Sequence, residues 1–95
     1  MSMKQAYVRK LQAQMDRWNA EISRLKAKAD EAEADAQLEY YKQIEELREQ
    51  QQDAQAKLTE LREAGEDAWE DLKAGIDNAW SSLGEAVKTA ASRFN

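Results

Sequence analysis

Residues 61–72 read LREAGEDAWEDL, and they pose one question: does a helix pass through Gly65 or stop there? The positions Leu58, Leu61, Gly65, Ala68 and Leu72 keep steps of 3 and 4 across the glycine. A loop usually breaks that phase. Glycine inside a helix costs roughly 1 kcal/mol relative to alanine, which weakens a helix without ending it. Good helix formers flank Gly65 and Gly75, and the chain has no proline. The spacing therefore predicts one helix over about residues 4–92, on the order of 130 Å long. A break near Gly65 or Gly75, giving two helices, is the alternative.

Upstream, Val8, Leu11, Met15, Trp18, Ile22, Leu25, Ala29, Ala32 and Ala36 also step by 3 and 4. This is the seven-residue repeat of a left-handed coiled-coil seam, with Met15 at a and Leu11 and Trp18 at d. Two steps of four, through Tyr40 to Ile44, interrupt it; Leu47, Gln51 and Ala54 resume it. Downstream an eleven-residue beat appears: Leu61, Leu72, Leu83, Phe94; Gly65, Ile76, Val87; Ala68, Ala79, Ala90; Trp69, Trp80. Eleven residues over three turns is about 3.67 per turn, close to a straight helix. The chain thus reads as one domain in two segments. Residues 1–60 are a heptad coiled coil with a basic N-terminal arm, and residues 61–95 are an eleven-residue amphipathic repeat.

Composition bears on how the stripe is covered. Leu, Ile, Val and Phe number only 14 of 95 residues, whereas Ala, Glu, Lys, Leu and Arg number 51. The first figure argues against a thick core in a lone chain; the second fits a long helix or coiled coil. The expected fold class is therefore all-α, a long amphipathic helix forming a homo-oligomeric coiled coil. The expected interface is Leu11, Met15, Trp18, Ile22, Leu25, Ala29, Ala32, Ala36, Ile44, Leu47, Leu58, Leu61, Ala68, Leu72, Ile76, Leu83 and Val87. Trp69, Trp80 and Phe94 flank it as candidate lipid or partner contacts.

The net charge of −5 is unevenly spread. Residues 1–28 carry seven Lys/Arg against Asp16 and Glu21, whereas residues 29–95 carry seven against seventeen Asp/Glu. That polarity favours antiparallel copies, basic arm over acidic stretch, and a staggered contact could build a filament. Parallel pairing gains from Glu21–Lys26 and Lys28–Glu33 but loses at Lys57–Arg62, each worth little when exposed. An acidic chain is a poor general nucleic-acid binder. No apolar run follows the basic N-terminus, so neither a secretory signal nor a membrane span is expected, and cytoplasm is the default location.

Catalytic chemistry has few carriers here. There is no His and no Cys, and the three glycines form no phosphate loop. The carboxylates Glu45, Glu46, Glu49 and Asp53, and Glu63, Glu66, Asp67, Glu70 and Asp71, read as solvated faces, since a raised-pKa acid needs a dry pocket. No enzyme activity, metal or cofactor is expected. A lipid surface is the less favoured partner, because surface helices prefer Lys/Arg on the polar face and residues 60–77 are acidic.

KQAYVRKLQAQMDRWNAEISRLKAKADEAEADAQ (4–37) and LTELREAGEDAWEDLKAGIDNAWSSLGEAVKTAASRF (58–94), above all GEDAWEDLKAGIDNAW (65–80), resemble the small coiled-coil proteins of cyanobacteria and proteobacteria that are named as stress-response proteins. The resemblance implies a soluble bacterial protein tied to stress and supplies no reaction. Together these observations lead to the expectation of a non-enzymatic, self-associating protein of structural or filament-forming role. The alternative is a peripheral lipid-surface protein acting through residues 64–94.

Overall fold

The computed structural model describes residues 2–94; Met1 and Asn95, which end the two expected segments, lie outside the described residues. Three helices, α1 (Met3–Asp30), α2 (Ala34–Glu63) and α3 (Trp69–Arg93), account for nearly all of it, and no strand occurs among the described residues. The fold is all-α, as expected, but it is not one rod. The chain turns at 31–33 and again at 64–68, and its extents are 51 × 19 × 18 Å. That is the size of helices of about 40 Å lying side by side. Lys4 contacts the end of α2, and Tyr40 near the start of α2 stacks on Phe94 at the end of α3. The helices therefore run up, down, up, with α1 and α3 parallel.

The break near Gly65 is present, while α3 runs unbroken through Gly75. The turn at 31–33 falls inside the stretch expected to be continuous seam. Electrostatics favours a new helix start after each position, although Asp30 and Glu63 themselves end α1 and α2. A helix C-terminus disfavours anions and an N-terminus favours them. Lys28, Arg62 and Arg93 lie in the last turns of α1, α2 and α3. Directly after Lys28 comes ADEAEAD, and after Arg62 comes EAGEDAWED. Turning there places Asp35 in the first turn of α2 and Glu70 and Asp71 in the first turn of α3. A continuous helix would hold the same acids without that benefit.

At the start of α1 the Ser2 hydroxyl accepts from the Gln5 N–H at 3.1 Å, and the Gln5 amide oxygen accepts from the Ser2 N–H at 3.3 Å. This reciprocal cap satisfies two otherwise orphaned donors. Neither interhelical turn uses a left-handed residue. Glu33 (φ −65°, ψ 153°) and Ala64 (φ −71°, ψ 145°) are simply extended, which is enough to redirect the chain.

The core is heptad throughout. Leu11, Met15, Ile22, Leu25 and Ala29 are buried on α1, and Ile44, Leu47, Ala54, Leu58 and Leu61 on α2. On α3 the buried set is Trp69, Ile76, Trp80, Leu83, Val87 and Ala90, followed by Phe94. Trp69, Ile76, Leu83 and Ala90 are seven apart, as are Trp80, Val87 and Phe94. The same set holds pairs eleven apart, Trp69 with Trp80, Ile76 with Val87 and Leu83 with Phe94, because one heptad and one four-residue step make eleven. Leu72, which the beat placed on the stripe, is only half buried.

A single chain covers its own stripe, contrary to the expectation from its aliphatic content. The missing bulk comes from Met15 and the aromatic residues, with Tyr7, Trp18, Tyr40 and Tyr41 packed against the buried set. Ala29 and Ala54, 0% and 1% exposed, let the helices approach closely where bulk is absent. No polar or charged residue is buried among the described residues.

Candidate interaction surface

The parallel helices α1 and α3 meet through an aromatic ladder. Tyr7 and Trp69 lie 5.9 Å apart between ring centroids, and Trp18 and Trp80 lie 6.2 Å apart, both tilted. Each pair is separated by 62 residues, so the spacing of Tyr7 and Trp18 on α1 repeats that of Trp69 and Trp80 on α3. Tilted contacts suit the ring quadrupoles and add to the area buried. The Tyr7 hydroxyl donates to Asp77, and Lys73 Nζ stands 5.4 Å from the Tyr7 ring centroid. Burial, then the hydrogen bond to Asp77, pushes the Tyr7 phenol above its ordinary range. Beside the ladder an open cleft of about 360 Å³ is lined by Tyr7, Leu11, Trp18, Asp77, Trp80 and Gly84, among others. Trp80 Nε1 is buried beside it and, among the described residues, has no hydrogen-bond partner.

The 64–68 turn is held from outside. Lys4 Nζ, on the first turn of α1, donates to the carbonyl of Arg62 at 3.0 Å and to that of Ala64. Within the turn, the Gly65 carbonyl accepts from the N–H groups of Ala68 and Trp69 at 3.0 and 3.2 Å. Arg62 Nη2 reaches across to Gln12 Oε1 on α1. A cation at a helix C-terminus suits both the free carbonyls and the dipole.

The opposite end is closed by a separate set. Gln37 Nε2 donates to the Ala29 and Asp30 carbonyls, both at 3.3 Å, capping α1 from α2. The Tyr41 hydroxyl donates to Asp30, whose other partner is Lys26 at 3.1 Å. Those two donors, Tyr41 first, hold the Asp30 carboxyl below the usual range, and the same bond raises the Tyr41 phenol. Midway, Arg48 donates to Asn19 Oδ1 and Gln51 Oε1, both at 2.9 Å, and Gln51 Nε2 donates to Asn19 at 3.1 Å. Gln51, polar at a seam position, is thereby satisfied across α1 and α2.

Of the residues expected to face another copy, Leu11, Met15, Ile22, Leu25, Ala29, Ile44, Leu47, Leu58, Leu61, Ile76, Leu83 and Val87 are buried within one chain. Trp18, Ala32, Ala36 and Leu72 are half buried, and Ala68 is exposed in the second turn. Trp69, Trp80 and Phe94, read as lipid or partner contacts, are 5%, 4% and 7% exposed, so they meet a partner only if α3 moves. Exposed apolar surface lies instead at Met3 and Leu38.

Several contributors were not singled out from sequence: Lys4, Tyr7, Gln37 and Gly84. The equal spacing of Tyr7–Trp18 and Trp69–Trp80 was a usable signal. Gly84, one turn beyond Trp80, was another. Among the described residues, no group of three or more acidic, His or Cys side chains could hold a metal, and no helix is long and apolar enough to cross a membrane. No family model, curated protein or solved structure matches the chain.

Proposed function

We propose that this is a non-enzymatic helical protein that works by associating with further copies of itself, in a structural role connected with stress. The observation that carries this reading is the phase of the apolar pattern across the 64–68 turn. Leu58, Leu61, Gly65, Ala68 and Leu72 keep heptad spacing although Gly65 and Ala68 are exposed in the bundle. One stripe therefore suits two arrangements, folded back within a chain or laid along a neighbour. The link to stress rests on the resemblance of residues 4–37 and 58–94 alone. Sedimentation over a range of concentrations tests the reading. It expects a mass above the 10.9 kDa of one chain as concentration rises. A mass fixed at one chain up to millimolar protein contradicts it.

A lipid surface is the second reading, favoured by one feature: Trp69, Trp80 and Phe94 all lie on the apolar face of α3. Vesicle flotation separates the two. Co-flotation with phosphatidylcholine vesicles supports the second reading, and association without lipid together with no flotation supports the first.

A further inference from the structure

We infer that α3 exchanges between copies: the 64–68 turn straightens, α2 and α3 join into one helix, and α3 of each chain docks on the α1–α2 hairpin of the other. This rests on the self-association proposed above and names its surface.

Four features point to α3 as the exchanging part. First, α1 and α2 form the most extensively packed pair, so the hairpin is the better candidate to persist. Second, the 64–68 turn contains no left-handed residue; Ala64 is extended at φ −71°, ψ 145°, and Ala68 already stands at φ −90°, ψ −24°. Ala64 itself becomes helical by rotation of its ψ alone. Third, the carbonyls held by Lys4 are the ones a continuous helix would use. In such a helix the Arg62 carbonyl accepts from the Glu66 N–H, and the Ala64 carbonyl from the Ala68 N–H. Lys4 and the two main-chain donors compete for the same acceptors, so Lys4 acts as a latch on the closed turn. Fourth, straightening returns Gly65 and Ala68 to the stripe between Leu61 and Leu72. Two small residues there let the joined helices of a pair cross closely.

The joined helix, 34–93, is about 90 Å long, against 51 Å for the closed bundle. Every contact α3 makes in one chain is remade in the pair, and only the turn differs. The exchange is therefore weak at low concentration and slow, because α3 must leave before it docks again.

Three variants test it by sedimentation equilibrium and small-angle scattering after refolding at millimolar protein. Gly65→Ala favours the straight form: helix propensity rises, and a Cβ at 65 meets nothing within 4 Å. Glu66→Pro favours the turn. Residue 66 is the second residue of the turn closed by the Ala68 N–H on the Gly65 carbonyl, where proline fits. It also disfavours a helical Gly65 and removes the N–H that a straight helix needs. Lys4→Met releases the latch. The expected result is a several-fold larger dimer fraction for Gly65→Ala and Lys4→Met, with an elongated dimer, and a monomeric Glu66→Pro that keeps its helical circular dichroism. Glu66→Pro dimerising as wild type overturns exchange while leaving self-association through another surface intact. All chains remaining monomeric overturns both. Should Glu66→Pro lose its helicity, Lys4→Met decides: an unchanged dimer fraction overturns the exchange.

Discussion

Trp18 on α1 lies directly over Gly84 on α3: a Cβ at 84 would stand 3.1 Å from Trp18 Cζ2. That is too close for ordinary contact, so the glycine sets how near the two parallel helices come. The same indole is braced by Trp80, 6.2 Å away, which limits its freedom to yield.

Gly84→Val therefore lowers stability despite removing a helix glycine. It displaces Trp18 and opens the ladder, with a cost of about 1–3 kcal/mol, as for other overpacked sites. Thermal unfolding by circular dichroism checks it. A melting temperature equal to or above wild type contradicts the close approach of α1 and α3.

Gly75→Ala has the opposite sign. Gly75 is exposed inside α3, and a Cβ there meets nothing within 4 Å. The gain is about 1 kcal/mol of helix propensity, or roughly 4–8 °C in a domain of this size. A drop in melting temperature would show that α3 is interrupted at 75.

Tyr7 gives a pH signature. Its phenol is raised above its unfolded value by burial and by Asp77. The folded state therefore holds a proton that the unfolded state gives up above about pH 10. The stabilisation is fully present below that pH and is lost as pH rises through it toward the higher folded value. Tyr7→Phe keeps the ring against Trp69 and removes the proton. Its unfolding free energy, measured by denaturant from pH 8 to pH 11.5, should fall less with pH than that of wild type. Parallel curves would mean the phenol is free in solution.

The sequence pattern was informative about faces and misleading about direction. Every heptad position on α1 from Leu11 to Ala29 lies on the apolar side, because the 3–4 spacing reports only which way a residue points. The same spacing continues through both turns, so it could not show that the chain reverses. The signal for reversal was electrostatic. A basic residue followed by an acidic run, Lys28 then ADEAEAD and Arg62 then EAGEDAWED, marks a helix end followed by a helix start. Such acids also suit a solvated helix face, and that ambiguity hid the turns. Counting only Leu, Ile, Val and Phe likewise understated the core, since Trp69, Trp80 and Met15 supply much of its volume. Lys4, Gln37 and Gln51 act across helices, so their roles depend on the tertiary arrangement that local spacing does not encode.

Small-angle scattering from dilute protein tests most directly whether one chain covers its own stripe. The bundle predicts a single-chain mass, a radius of gyration near 15.3 Å and a longest dimension little above 51 Å. A longest dimension approaching the roughly 140 Å of a straight helix over the described residues, or a dimer that persists at the lowest measurable concentration, would contradict it.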